Sequence, residues 1–206
     1  KDLLSVDHPK KKFNQYDVYD VILKPKEDNI NNLNKLKMVL ENQNEKIQVD
    51  ENTTVFLKIK ESVMFIDINL KDNNTSKVVI HGKVPPNLNI LISSKLQDKK
   101  NYLIYDENSL TGCLTFLDAN LTNINLTIKN SQCEDAVNFI RTFGSINSIK
   151  VNNSSSDAID MDFSDIKVKS IEVSNSLNDC IDLSFGQYFF EKIRLNNCGD
   201  KAVSIG

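Results

Sequence analysis

The residues in this chain whose types and spacing could do chemistry are aspartates. Asp135, Asp157 and Asp179 follow one another at steps of 22, and Lys201 stands at the next step. Three residues after each come Asn138, Asp160, Asp182 and Ser204, with Asp162 close by. Paired carboxylates on a rigid sheet are what acid/base attack on a glycosidic bond requires. Asp157, Asp160, Asp179 and Asp182 are therefore the candidate catalytic residues, with Lys201 as a base or charge neutraliser among them. Carboxylates on neighbouring strands, about 5 Å apart, raise one another's pKa and need compensation. Asp135, Asp157 and Asp179 are accordingly candidate ligands for calcium, which favours several carboxylate oxygens. The alternative is structural: Lys201 and neighbouring turn amides would neutralise the stack.

Such a stack needs a scaffold that repeats at the same step, and the sequence contains one. Ala136, Ala158, Cys180 and Ala202 form a column of small residues beside the aspartates, and Cys113 precedes them by 23. Apolar columns run alongside: Leu114, Val137, Ile159, Ile181 and Val203, then Phe116, Phe139, Met161, Leu183 and Ile205. Half a repeat later come Leu126, Ile149, Ile171 and Ile193, then Ile128, Val151, Val173 and Leu195. A fixed period of this length signals a solenoid, whose units bury their apolar face only by stacking on one another. Two or three short strands per circuit describe one coil of a parallel β-helix, with regular rungs over 108–206. If Val137, Ile159 and Ile181 point inward, strand alternation turns Asn138, Asp160 and Asp182 outward.

Asn130, Asn153, Asn175 and Asn197 close the half-repeats. Their side-chain amides can hydrogen-bond along the stack, and Asn tolerates the left-handed backbone of a sharp corner. Ser131, Ser154, Ser176 and Cys198 follow them, and both columns read as structural.

Upstream, Val55–Ile59, Val63–Leu70, Val78–Ile80, Leu88–Ile92 and Tyr102–Tyr105 are short β-branched and aromatic runs between polar turns. They predict irregular rungs over 47–107, and Pro85-Pro86 marks a corner. The spacing of Ile30, Leu33, Leu36 and Leu40 predicts an amphipathic helix over 29–43. Such a helix would cap the first coil within an N-terminal segment of residues 1–46. Val18–Leu23 predicts an extended segment, and residues 1–16 read as a polar tail.

The 206 residues carry a net charge of −3 with both signs interspersed, unlike the basic footprint of a nucleic-acid binder. No apolar run approaches the length of a membrane span. His8 and His81 form no ligand pair, and no Cys-x-x-Cys occurs. Cys113 and Cys180 share a column three rungs apart, roughly 14 Å at ~4.8 Å per strand, too far to bridge. Free, buried thiols are therefore expected at all four cysteines. The Asn-x-Ser/Thr sequons at Asn52, Asn73, Asn74, Asn120, Asn125, Asn152 and Asn153 accept glycans only in a eukaryotic secretory context.

Ser155-Ser-Asp-Ala-Ile-Asp160, Asn178-Asp-Cys-Ile-Asp182 and Cys198–Gly206 resemble three successive rungs of polygalacturonase-type glycoside hydrolases. The resemblance implies a right-handed parallel β-helix with its water-activating pair at Asp157 and Asp179. Asn178 stands where those enzymes have a general acid, and Lys201 where they have a histidine. Residues 47–206 also resemble β-helix repeat regions of bacterial surface proteins, some of which accompany CotH-type kinase-like domains. Ser156–Ser164, Asn178–Ser184 and Asp200–Gly206 carry that likeness.

These observations predict an all-β, right-handed parallel β-helix of an extracellular or cell-surface protein. Its role is structural or carbohydrate-binding, with a polysaccharide or surface glycan as partner. The alternative is a glycan-active enzyme: a polysaccharide lyase, an epimerase or a divergent glycoside hydrolase. The rung opened at Gly199–Gly206 predicts that the chain is part of a longer polypeptide.

Overall fold

A computed structural model describes residues 34–71, 75–95 and 110–206. The chain divides into residues 1–30 and 31–206, and every described residue belongs to the second unit. The expected segments at Val18–Leu23 and Tyr102–Tyr105 lie outside the described residues.

The strands are β1 (Asn34–Leu40), β2 (Asn44–Val49), β3 (Thr53–Ile59), β4 (Phe65–Leu70), β5 (Ser76–Lys83), β6 (Asn89–Ser94), β7 (Gly112–Ser131) and β8 (Asp135–Ile140). They continue as β9 (Phe143–Ser154), β10 (Asp157–Asp162), β11 (Asp165–Ser176), β12 (Ile181–Ser184), β13 (Gln187–Phe190), β14 (Ile193–Cys198) and β15 (Ser204–Ile205). Each circuit lays its strands parallel and in register on those of the circuit before. One face is the ladder β1-β3-β5-β7-β8-β10-β12-β15, and a second runs through β2, β4, β6, β7, β9, β11 and β14. The result is a parallel β-solenoid of about seven turns, without a helix among the described residues. No helix long and apolar enough to cross a membrane occurs among them either.

The sequence columns are the pairing register. Val137 lies opposite Ile159, and Ile159 opposite Ile181; Ile149, Ile171 and Ile193 align on the second face. Leu114, Val137, Ile159, Ile181, Phe116, Phe139 and Met161 are all fully buried. Removing each such side chain from water contributes roughly 1.5–3 kcal/mol. Phe116 and Phe139 stack with ring centroids 5.1 Å apart. The interior is thus a continuous apolar column, and the outward positions ride on a stiff lattice.

The corners hold the faces in place. Asn130, Asn153, Asn175 and Asn197 all have φ between 56° and 62°. Their amides form the expected ladder: Asn153 donates to Asn130 (2.9 Å), Asn175 to Asn153 (3.0 Å) and Asn197 to Asn175 (2.9 Å). A second left-handed column, Asp118, Arg141, Phe163 and Phe185, has φ between 43° and 50°. It follows the same step, but its mixed residue types hide it in the sequence. One position further, the buried hydroxyls of Thr142 and Ser164 accept and donate across the rungs. The third member of that column is Gly186. A Cβ there would come 2.5 Å from Tyr188 Oη, which itself fills the place of the missing hydroxyl and donates to Met161 O at 2.8 Å.

Two expectations are corrected. Residues 34–40 are not helical: they form β1, which pairs with β3 from Asn34↔Thr53 to Leu40↔Ile59. Leu36 and Leu40 fit the helical period, while Leu36, Met38 and Leu40 alternate at that of a strand. The open edge of β3 decides between them by pairing with the backbone. Residues 29–33 lie outside the described residues, and the coil is already under way before Ile47. The cysteines are not free either: Cys113 bonds Cys133 and Cys180 bonds Cys198. Cys113 and Cys180 stand in the small-residue column, and each partner lies around one corner, Cys133 two residues past Ser131 and Cys198 in the serine column, at Cα distances of only 5.4 and 5.3 Å. The in-column distance from Cys113 to Cys180 was the wrong one to test.

Candidate functional site

β8, β10, β12 and β15 carry the aspartate columns, and the two columns do different things. In the first, Asp157 and Asp179 each grip the next rung. Asp157 Oδ1 accepts hydrogen bonds from the Asp179 backbone N–H (2.8 Å) and from Asn178 Nδ2 (2.7 Å). Asp179 Oδ1 accepts from the Lys201 backbone N–H at 2.8 Å. Lys201 Nζ stands 3.6 Å from Asp179 Oδ2 and 2.7 Å from Asp200. The sequence columns place these groups together correctly, and the bonds they make are those of corner supports. Burial still pushes the Asp157 carboxyl up, against the two donors that hold it.

Asp135, the first member, is 3% exposed. Burial raises its pKa to about 7, opposed by a hydrogen bond from Thr111 and assisted by the nearby charges of Glu134 and Asp157. Its position joins it to the second column instead. Asn138 is 2% exposed, and its Nδ2 lies 3.3 Å from Asp135 Oδ2, 2.9 Å from Asp160 Oδ2 and 3.0 Å from Thr111 Oγ1. One amide nitrogen with two hydrogens thus faces three acceptor oxygens.

The second column runs in register from Asn138 through Asp160 and Asp182 to Ser204. Asp160, Asp162 and Asp182 are half-buried on the outer side of the sheet. Burial, then repulsion from Asp135, Asp162 and Asp182, raises Asp160 to about 9; burial raises Asp162 as well. Asp162 stands two residues along β10 on the same outer side, and its charge adds to the cost of ionising Asp160. With its carboxyl raised to about 9, Asp160 favours its protonated form at neutral pH, which aspartate spacing alone does not reveal.

Beside this strip, at the left-handed corner, Phe163 and Phe185 stack in parallel with centroids 5.1 Å apart. They are 54% and 62% exposed, although Phe is a residue that usually sits inside. The rung before them in the same column carries Arg141, bound in bidentate fashion to Asp118 at 2.7 and 2.9 Å. Phe163 and Phe185 were not singled out by sequence reasoning. The signal that could have found them is their shared step with Asp118 and Arg141, one residue past the outward aspartate strand.

For calcium, the candidate set of Asp135, Asp157 and Asp179 has its oxygens turned to backbone and amide donors. Among the described residues no group of three or more His, Cys, Asp or Glu side chains converges as a metal site. What the face offers is a half-buried acidic strip next to an exposed aromatic stack. No protein-family model, curated protein or solved structure matches the chain.

Proposed function

We propose that this chain is a β-solenoid domain of an extracellular or cell-surface protein, and that it binds a glycan along the β10–β12 face. The observation that carries the reading is the pairing of exposed, stacked Phe163 and Phe185 with half-buried Asp160, Asp162 and Asp182. Sugars present both apolar C–H faces and hydroxyl donors, and binding sites for such ligands combine apolar surface with a few fixed polar groups. Here both kinds of group ride on rungs locked in register by the buried columns. The likeness of these rungs to polygalacturonase-type coils and to bacterial surface β-helix regions supports the same class of ligand. The two disulfides support an oxidising compartment, where such bonds form and persist.

A second reading is a glycan-active enzyme: a lyase, an epimerase or a divergent glycoside hydrolase. It is favoured by Asp160, whose carboxyl, raised to about 9 by burial and its acidic neighbours, suits a general acid at neutral pH. Asp157 and Asp179 are less suited, because both are committed to backbone donors. A glycan array and a depolymerisation screen, each with and without calcium, separate the readings. Binding that Phe163→Ala/Phe185→Ala weakens at least tenfold, without new reducing ends, supports the first. Chain cleavage lost in Asp160→Asn supports the second. A protein that neither binds nor cleaves any saccharide refutes both.

A further inference from the structure

We infer that the glycan held by this face carries primary ammonium groups, as in a de-N-acetylated hexosamine polymer, rather than uronate carboxylates. The inference rests on the glycan-binding reading and concerns which glycan that is.

The first argument is the supply of acceptors. Asp160, Asp162 and Asp182 present carboxylate oxygens on adjacent rungs, with Ser184 and Ser204 aligned beside Asp162 and Asp182. Behind them Asn138 spends its amide nitrogen on Asp135, Asp160 and Thr111. Its Oδ1, fully buried, has no hydrogen-bond partner. The cluster is short of donors by its own count. An ammonium group brings three donors and no acceptor, whereas a carboxylate brings acceptors only.

The second argument is charge. The two bases in the columns bordering the strip are already engaged: Arg141 with Asp118, and Lys201 with Asp200 and Asp179. Glu134, Asp135 and Asp157 lie behind the strip, and Lys77 acts on Glu134 from β5. Tyr188, from β13, faces Asp160 and Asp162 with its hydroxyl held by backbone carbonyls. A polyuronate would find no free base in these columns and would be repelled by the strip's ionised carboxylates, and like charges at interfaces select against the wrong partner. A polycation meets opposite charge, and the proton that burial holds on Asp160 can leave as an ammonium arrives. That proton passes to solvent, Asp160 becomes ionised, and no bond between heavy atoms changes.

The test is titration calorimetry at pH 6 on the whole chain with three probes: oligoglucosamine, its N-acetylated counterpart and oligogalacturonate. Oligoglucosamine is expected to bind at least about tenfold tighter than the other two and to weaken as salt screens the strip. Its binding enthalpy is expected to vary with the ionisation enthalpy of the buffer, reporting proton release. Asp182→Asn and Asp160→Asn should each weaken oligoglucosamine about tenfold with an unchanged or higher melting temperature. Equal or tighter binding of either other probe overturns the inference and leaves the glycan reading standing. Binding that is indifferent to both variants overturns the assignment to this strip. No binding of any saccharide removes the glycan reading itself.

Discussion

Replacing Asp160 by asparagine should change how the stability of the coil depends on pH. Burial and its neighbours Asp135, Asp162 and Asp182 raise the Asp160 carboxyl from 3.8 to about 9. An acid whose folded pKa is raised binds its proton more tightly in the native state than in the unfolded chain. Stability is therefore highest below the unfolded value near 4 and falls as pH rises towards 9. One pKa unit corresponds to 1.36 kcal/mol, so between pH 4 and pH 7 this one group can remove up to about 4 kcal/mol. Asp160→Asn keeps an oxygen that can accept the 2.9 Å bond from Asn138 Nδ2 and abolishes the titration. Urea unfolding at pH 4.5, 7 and 8.5 should show the parent chain losing stability across the series. The variant should lose less, and at pH 8.5 it should be the more stable protein by on the order of 2–4 kcal/mol. Asp135, raised to about 7, leaves a residual slope in the variant. A parent chain that gains stability with pH over this range, or equal slopes for the two proteins, would refute the reasoning.

The corner supports give further tests. Cys180→Ser/Cys198→Ser opens a loop of sequence separation 18 and should cost about 3 kcal/mol in chemical unfolding, with the reductant sensitivity of that corner lost. Asn153→Ala removes both ladder bonds and leaves at φ 62° a residue that tolerates left-handed backbone less well than asparagine; it should cost about 2–3 kcal/mol. Asn153→Gly loses the bonds without the backbone strain, so it should fall between parent and alanine variant in a urea melt. Tyr188→Phe leaves Met161 O and the Ser164 N–H without their hydroxyl partner, and a drop of about 1–2 kcal/mol is expected from thermal or urea unfolding.

The sequence by itself determined the coil. Inward residues recur at the circuit length because each rung buries its apolar face on the next, so Val137, Ile159 and Ile181 had to align. The asparagine ladder was legible for the same reason, since one residue type answers both the left-handed corner and the amide stack. Residues 34–40 were not legible, because Leu36 and Leu40 fit the helical period while Leu36, Met38 and Leu40 fit that of a strand, and only the open edge of β3 selects the strand. The disulfides escaped because each joins a cysteine of the small-residue column to one at a different repeat position, reached only around a corner. The aspartates were visible as a site and invisible as two sites. Only tertiary structure turns Asp157 and Asp179 onto backbone N–H groups while leaving Asp160 half-buried, its carboxyl raised, beside Phe163 and Phe185. A period states which residues stand above one another. The turn of the chain at each corner decides what each of them touches.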